Sequence, residues 1–317
     1  MKRKTLIIGA CGQIGSELVR ILRAQQGTDN IIATDIKASN REVVDSGIFE
    51  ILDAKSREEI RSAIERHNIG TVYLMAALLS AKAEQYPEKA WRLNMSSLFN
   101  VLELAREGLI NRIFWPSSIA VFGPTTPKVN TPQHTIMEPT TVYGITKQVG
   151  ERWCDYYFSR YGVDVRSIRY PGIISWRTAP GGGTTDYAVE IFHEALEKGH
   201  YNCFLSEDTR LPMMFMDDAI KATLDIMNAP SEDVLIRSSY NLEGVSFSPG
   251  ELVASIQEHL PEFTVEYNPD FRQAIADSWP NSIDDTPARE HWGWNHDFNL
   301  MDITAEMLTK LRQSSMI

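Results

Sequence analysis

The sequence predicts an α/β fold built on a doubly wound, mostly parallel sheet. Two observations carry this: short β-prone apolar runs alternate with helix-patterned segments through the first half, and the first run ends in a glycine-rich loop opening into a helix. A chain of 317 residues, 43% of them hydrophobic, holds one large domain or a domain with a smaller companion.

Thr5-Leu6-Ile7-Ile8 is the first strand, Gly9-Ala10-Cys11-Gly12-Gln13-Ile14-Gly15 the loop, and SELVRILRAQ the helix. Glycines let backbone approach a pyrophosphate without a Cβ clash, and a helix N-terminus offers it free amides and positive potential. Gly9, Gly12, Gln13, Ile14 and Gly15 are therefore candidate cofactor contacts. Their Gly-x-x-Gly-x-x-Gly spacing differs from the more familiar dinucleotide fingerprint, and the glycines alone would also serve a structural turn. The second strand, Asn30 to Thr34, ends at Asp35, 20 residues beyond Gly15. A carboxylate there accepts hydrogen bonds from both adenosine ribose hydroxyls and repels the extra phosphate of NADP, so NAD is expected. Lys37 and Arg41 lie just beyond, where they could recruit that phosphate or remain solvated.

A third strand, Ile48 to Leu52, ends at Asp53; Leu52 and Asp53 are candidate cofactor contacts, Asp53 facing the adenine amino group. The fourth, Thr71 to Met75, runs into Ala76-Ala77-Leu78-Leu79-Ser80, whose small residues let backbone pass close to the cofactor. On the helix Trp91 to Arg106, Asn94 either braces an active-site loop or solvates a helix face. The fifth strand, Arg112 to Trp115, ends in Pro116-Ser117-Ser118. This succession completes a Rossmann-type sheet, on which Ser118 and Tyr143 can converge at one edge.

Tyr143-Gly144-Ile145-Thr146-Lys147 begins 25 residues after Ser118. A phenol ionises near pH ~10, so a catalytic tyrosine needs a fixed cation beside it. Helical spacing of four puts Lys147 on the face of Tyr143, where its ammonium favours the phenolate. By itself Tyr-x-x-x-Lys matches any two exposed helix residues; the upstream loop and serine give it weight.

The formal net charge of −11 disfavours nucleic acid or an anionic membrane as partner. Cys11, Cys154 and Cys203 are odd in number and far apart, so neither a disulfide framework nor a metal site is expected, and a reducing compartment fits. No apolar run approaches the ~20 residues that span a bilayer. The opening MKRK could imitate a signal peptide, but glycines arrive where its apolar stretch should continue, so a cytoplasmic location is expected.

The glycine loop, Asp35, Pro116-Ser117-Ser118, Tyr143-x-x-x-Lys147 and Arg169-Tyr170-Pro171-Gly172, in that order, resemble the extended short-chain dehydrogenase/reductase superfamily, which includes NDP-sugar epimerases and dehydratases. Segments 170–176, 180–189, 211–216 and 278–285 narrow the resemblance to the short-chain type of L-threonine 3-dehydrogenase. The resemblance implies oxidation of L-threonine by NAD to L-2-amino-3-oxobutanoate. It implies Tyr143 as general base, Lys147 on the nicotinamide ribose, and Ser118, where several members have threonine, on the substrate hydroxyl. It adds Ala76, Ala77, Leu78, Asn94, Tyr170 and Ile173 to the cofactor contacts and Ser80, Thr184, Thr185 and Asp186 to the amino-acid contacts. For Ser80 and Thr184 the alternative is a turn or cap, and for Asp186 a first-turn helix role.

The expected organisation is a NAD-binding domain at 1–174 with a return segment near 208–245, and a smaller substrate-binding domain at 175–207 and 246–317. Gly181, Gly182 and Gly183 suit either a mobile lid or a flexible connector, with Thr184 or Thr185 capping the helix Tyr187 to Leu196. Met213, Met214 and Met216 are expected to pack, as are Trp279, Trp292 and Trp294. By analogy with the superfamily, the helices holding Asn94 and Tyr143 pair in a homodimer, which leaves Trp153, Tyr156 and Tyr157 to that interface or to the core. Competing readings are an NDP-sugar epimerase or dehydratase, for which Arg177 and Arg210 could hold a diphosphate, and a catalytically silent NAD-sensing scaffold.

Overall fold

The computed structural model describes residues 3–179 and 183–314. The chain divides into two compact units, Met1–Ser118 with Thr140–Arg169 and Thr223–Tyr240, and Ile119–Pro139 with Tyr170–Ala222 and Asn241–Ile317.

The first unit alternates strand and helix: β1 (Lys4–Ile8), α1 (Gln13–Gln26), β2 (Ile31–Asp35), α2 (Arg41–Asp45), β3 (Phe49–Ile51), α3 (Arg57–His67), β4 (Ile69–Leu74), α4 (Ser80–Gln85), α5 (Pro87–Arg106), β5 (Arg112–Phe114), β6 (Ser117–Ser118), α6 (Val142–Tyr161), β7 (Val165–Arg166) and β8 (Ile168–Tyr170). Six strands form a parallel sheet in the order β3-β2-β1-β4-β5-β7. This is the expected Rossmann-type architecture. Parallel strands are covered on both faces, which explains why β1 and β2 read as unbroken apolar runs: Leu6, Ile7, Ile31, Ile32 and Ala33 have no exposure. The strand order turns back between β1 and β4, and at such a reversal the loops beyond the strand ends part to admit a ligand.

Local chemistry sets the helix ends. Ser56 accepts from the Glu59 amide to start α3, and left-handed Asn68 (φ 53°) stops it. Thr141 Oγ1 accepts from the Gly144 amide at 3.1 Å and so fixes where α6, the helix of Tyr143, begins. α5 starts at Pro87, four residues before the expected Trp91, because proline fits a first helical position.

The second unit contains β9 (Gly172–Ile174), α7 (Tyr187–Glu197), β10 (His200–Cys203), β11 (Leu211–Phe215), the start of α8 (Met216–Asn228), β13 (Val245–Phe247), α9 (Pro249–Gln257), β14 (Thr264–Tyr267), α10 (Phe271–Ala276), α11 (Thr286–Trp292) and α12 (Leu300–Ser314). Between α8 and β13 comes β12 (Tyr240–Asn241), which joins β8 and β6 in the order β12-β8-β6. β11 pairs parallel with β9 and antiparallel with β13, and β10 pairs with β14. Met213, Met214 and Met216 are buried as expected, as are Trp279 and Trp294, whose Nε1 donates to Asp285 Oδ2 at 2.8 Å; Trp292 is partly buried. Among the described residues no helix is long and apolar enough to cross a membrane.

Candidate active site

At the end of β1 the surface is made of backbone. Gly9 sits at φ 87°, and a Cβ there would lie 2.5 Å from the Ala76 nitrogen. A Cβ on Gly15 would lie 2.2 Å from the Gly9 oxygen, so no side chain fits between loop and helix. Gly12 occupies the N-cap of α1 and no side chain caps that helix, which leaves the amides about Gln13, Ile14 and Gly15 as an anion-binding end. Asp35, at the end of β2, accepts from the Cys11 amide (2.9 Å) through one oxygen and from the Ile36 amide (2.8 Å) through the other. A carboxylate has about four acceptor positions, so ribose hydroxyls can share it. These residues fit a dinucleotide. Leu52 is buried beside them, its amide donating to the Asp35 carbonyl at 2.9 Å. Asp53 accepts from the Lys55 amide at 2.9 Å and pairs with Lys55 Nζ at 3.3 Å.

Beyond β4, Ala76, Ala77 and Leu78 are partly exposed, and Asn94 on α5 grips this loop twice. The Leu78 amide donates to Asn94 Oδ1 (2.8 Å) and Asn94 Nδ2 donates to the Leu78 carbonyl (3.2 Å). Nδ2 also donates to Thr146 Oγ1 at 3.1 Å, and Thr146 donates to the Tyr143 carbonyl at 2.8 Å. Asn94 is 6% exposed, so of its two expected roles the geometry matches the loop brace. Ser80 opens α4 just past the braced loop.

Ser118, Tyr143 and Lys147 come together at the end of β6. The Ser118 hydroxyl is hydrogen-bonded to the Tyr143 phenol. Lys147 Nζ donates to the Pro116 carbonyl at 2.5 Å and lies 4.5 Å from the Trp115 ring centroid and 5.5 Å from that of Tyr143. Burial governs both titrations. It pushes the Tyr143 phenol up to about 12, against the pull of Ser118, and the Lys147 ammonium down to about 7, against Cys154 and Glu151. Burial is the larger cause at each group, because it penalises the charged form of both.

In the second unit Tyr170 is buried, and Ile173 lies in β9 opposite Met214 of β11. Thr184 is 3% exposed. The residue at the N-cap of α7 is Asp186, which corrects the expectation of a threonine cap. Its carboxylate turns back to accept from the Gly183 amide at 2.8 Å, closing a turn that places both threonines ahead of the helix. Gly181 and Gly182 lie outside the described residues.

Sequence reasoning missed Glu151 and, although it quoted Arg169 in a motif, missed their pairing, a buried ion pair joined at 2.8 Å, in which Glu151 also accepts from Ser117. The available signal was spacing: Tyr143, Lys147 and Glu151 recur every four residues along one helix stripe.

The profile of the NAD dependent epimerase/dehydratase family matches residues 5–242. An uncharacterised epimerase/dehydratase of Staphylococcus haemolyticus is 48% identical over 312 residues, 98% of each chain. The solved holo form of a GalE-like L-threonine dehydrogenase from Cupriavidus necator shares 55% identity at a TM-score of 0.95, covering 97% of this chain and 99% of that one. An L-threonine dehydrogenase from Clostridium difficile shares 45% at 0.96, covering 98% of both. A glycine cradle shaped for a dinucleotide, and a profile match running from β1 into β12, make this chain a member of the NAD-dependent epimerase/dehydratase family.

Proposed function

We propose that this protein is an NAD-dependent L-threonine 3-dehydrogenase, which oxidises the 3-hydroxyl of L-threonine to give L-2-amino-3-oxobutanoate. The observation that carries this is the Ser118, Tyr143 and Lys147 cluster, in a chain alike over nearly its whole length to proteins of that activity.

Bound NAD supplies the hydride acceptor. The Gly9–Gly15 backbone and the start of α1 hold its pyrophosphate, Asp35 its adenosine ribose, Lys147 its nicotinamide ribose, and Leu52, Asp53, Ala76, Ala77, Leu78, Asn94, Tyr170 and Ile173 complete the contacts. Tyr143 takes the proton from the 3-hydroxyl while Ser118 holds that hydroxyl, a general-base role worth about 10²–10⁴-fold. The phenol needs positive charge beside it, since burial alone holds it protonated, and Lys147 is the protein's own source of that charge. Ser80, Thr184, Thr185 and Asp186 are the assigned contacts of the amino-acid head group.

The working form is assigned as a homodimer through α5 and α6. Supporting it, Trp91, Ile145 and Tyr156 are exposed on these helices, and a cleft of about 460 Å³ opens between Pro87, Trp91, Val142 and Ile145. Three unpaired cysteines support a reducing, cytoplasmic setting.

The test is formation of NADH with L-threonine, run beside L-allo-threonine, L-serine and NADP, with UDP-sugars as competitors. Turnover is expected with L-threonine and NAD. Silence with threonine together with tight UDP-sugar binding would move the protein to the sugar-nucleotide enzymes. Against that alternative, Arg210 is already engaged by Glu251 and the Ser246 carbonyl.

A further inference from the structure

Tyr143, Lys147 and Glu151 stand at i, i+4 and i+8 of α6 and so share one stripe of that helix. Each engages a different residue of a single short segment. Tyr143 meets Ser118, Lys147 Nζ donates to the Pro116 carbonyl at 2.5 Å, and Ser117 Oγ donates to Glu151 Oε1 at 2.7 Å. From β8, the strand beside β6, Arg169 closes on the same carboxylate, Nε to Oε1 at 2.9 Å and Nη2 to Oε2 at 2.8 Å. The side chains of Glu151 and Arg169 are 0% and 2% exposed. An ion pair so buried seldom stabilises more than packed apolar residues would, so stability alone does not account for it.

We propose that Glu151 is a positioning residue for the oxidation step: anchored by Arg169, it holds Ser117 and thereby sets where the Ser118 hydroxyl lies against the Tyr143 oxygen. Glu151 touches neither substrate nor cofactor. Its bond to Ser117 is the middle of three attachments that stop segment 116–118 from sliding or rolling along α6. Loss of that attachment leaves the site chemically complete but loosely aimed, and displacement by about 1 Å can cost up to 10²-fold in rate. This inference rests on the proposed oxidation of an alcohol.

Two variants test it. Ser117→Ala deletes the donor and leaves the Glu151–Arg169 pair closed, so it is expected to fold; Glu151→Gln keeps an acceptor and removes the charge that Arg169 grips. Two measurements apply to each: hydrogen exchange across residues 115–119 without substrate, and kcat for threonine oxidation per NAD-binding site. The expected result is faster exchange in that segment and a fall of about tenfold in kcat per site, with the NAD dissociation constant unchanged. A merely structural role would reduce the number of NAD-binding sites and leave the kcat of each intact. Ser117→Ala with wild-type exchange, or with wild-type kcat per site, overturns the proposal whether or not Glu151→Gln folds. Wild-type protein inert toward threonine would sink the substrate assignment instead, and the exchange measurement would still decide whether Glu151 holds the segment.

Discussion

Two loops of the first unit solve the problem of binding in opposite ways. After β1, the surface is main chain: Gly9, Gly12 and Gly15 clear side chains away, and a helix end supplies the charge. After β5, side chains do the work, since Lys147, Glu151 and Tyr143 reach Pro116, Ser117 and Ser118 from one helix while Arg169 holds Glu151 from a neighbouring strand. A diphosphate is recognised by shape and amides, which backbone provides. Proton transfer needs groups of chosen pKa, which only side chains supply.

Substitutions can sharpen that contrast. The largest effect is expected from Tyr143→Phe, which should lower kcat by about 10³-fold while calorimetric NAD affinity stays within about twofold. A variant within tenfold of wild type would remove Tyr143 as the base. Gly9→Ala should act in the opposite sense, on binding and fold before chemistry. Its methyl meets backbone at 2.5 Å in a left-handed conformation, so a loss of about 2–3 kcal/mol in unfolding free energy and more than tenfold in NAD affinity are expected. Normal NAD titration by this variant would show that the loop is not specified by its backbone.

Lys147→Met should split activity from stability. Folding lowers the Lys147 pKa from 10.5 to about 7, so between those values the unfolded chain binds the proton that the folded chain has released. Stability therefore rises with pH through that window, and the full burden of the buried charge is present at about pH 7 and below. The variant should be inactive yet melt above wild type near pH 6, with the gap closing by about pH 10. A gap that does not change with pH would contradict the buried-ammonium account.

The contrast also explains what could be read from the sequence. The glycine loop and the alternation of strand and helix were legible because each is written in a short stretch of chain, and Asp35 because the regular length of a strand-helix-strand unit fixes where the second strand ends. For Asn94 a brace and a solvated face both stayed open, and no partner could be named, because Leu78 and Thr146 lie 16 and 52 residues away. Glu151 and Arg169 gave still less: a helix glutamate and a strand arginine look solvated until the fold buries them against each other. The balance of desolvation at Tyr143 and Lys147 was hidden for the same reason, since spacing reveals proximity and not dielectric. In the second unit the short β9-β11-β13 and β10-β14 pairings join distant segments by few bonds, and no period announces them.

The contact between Gly9 and Ala76 ties together two stretches that protein engineers would treat as separate cassettes. Any graft that brings a longer or bulkier crossover after β4 presses on the glycine loop, so altering the segment that leads to Ser80 obliges redesign of residues 9–12 as well. The two segments form one unit of exchange, and shuffling them independently between homologous scaffolds would yield chimaeras that fold around a mismatched cradle.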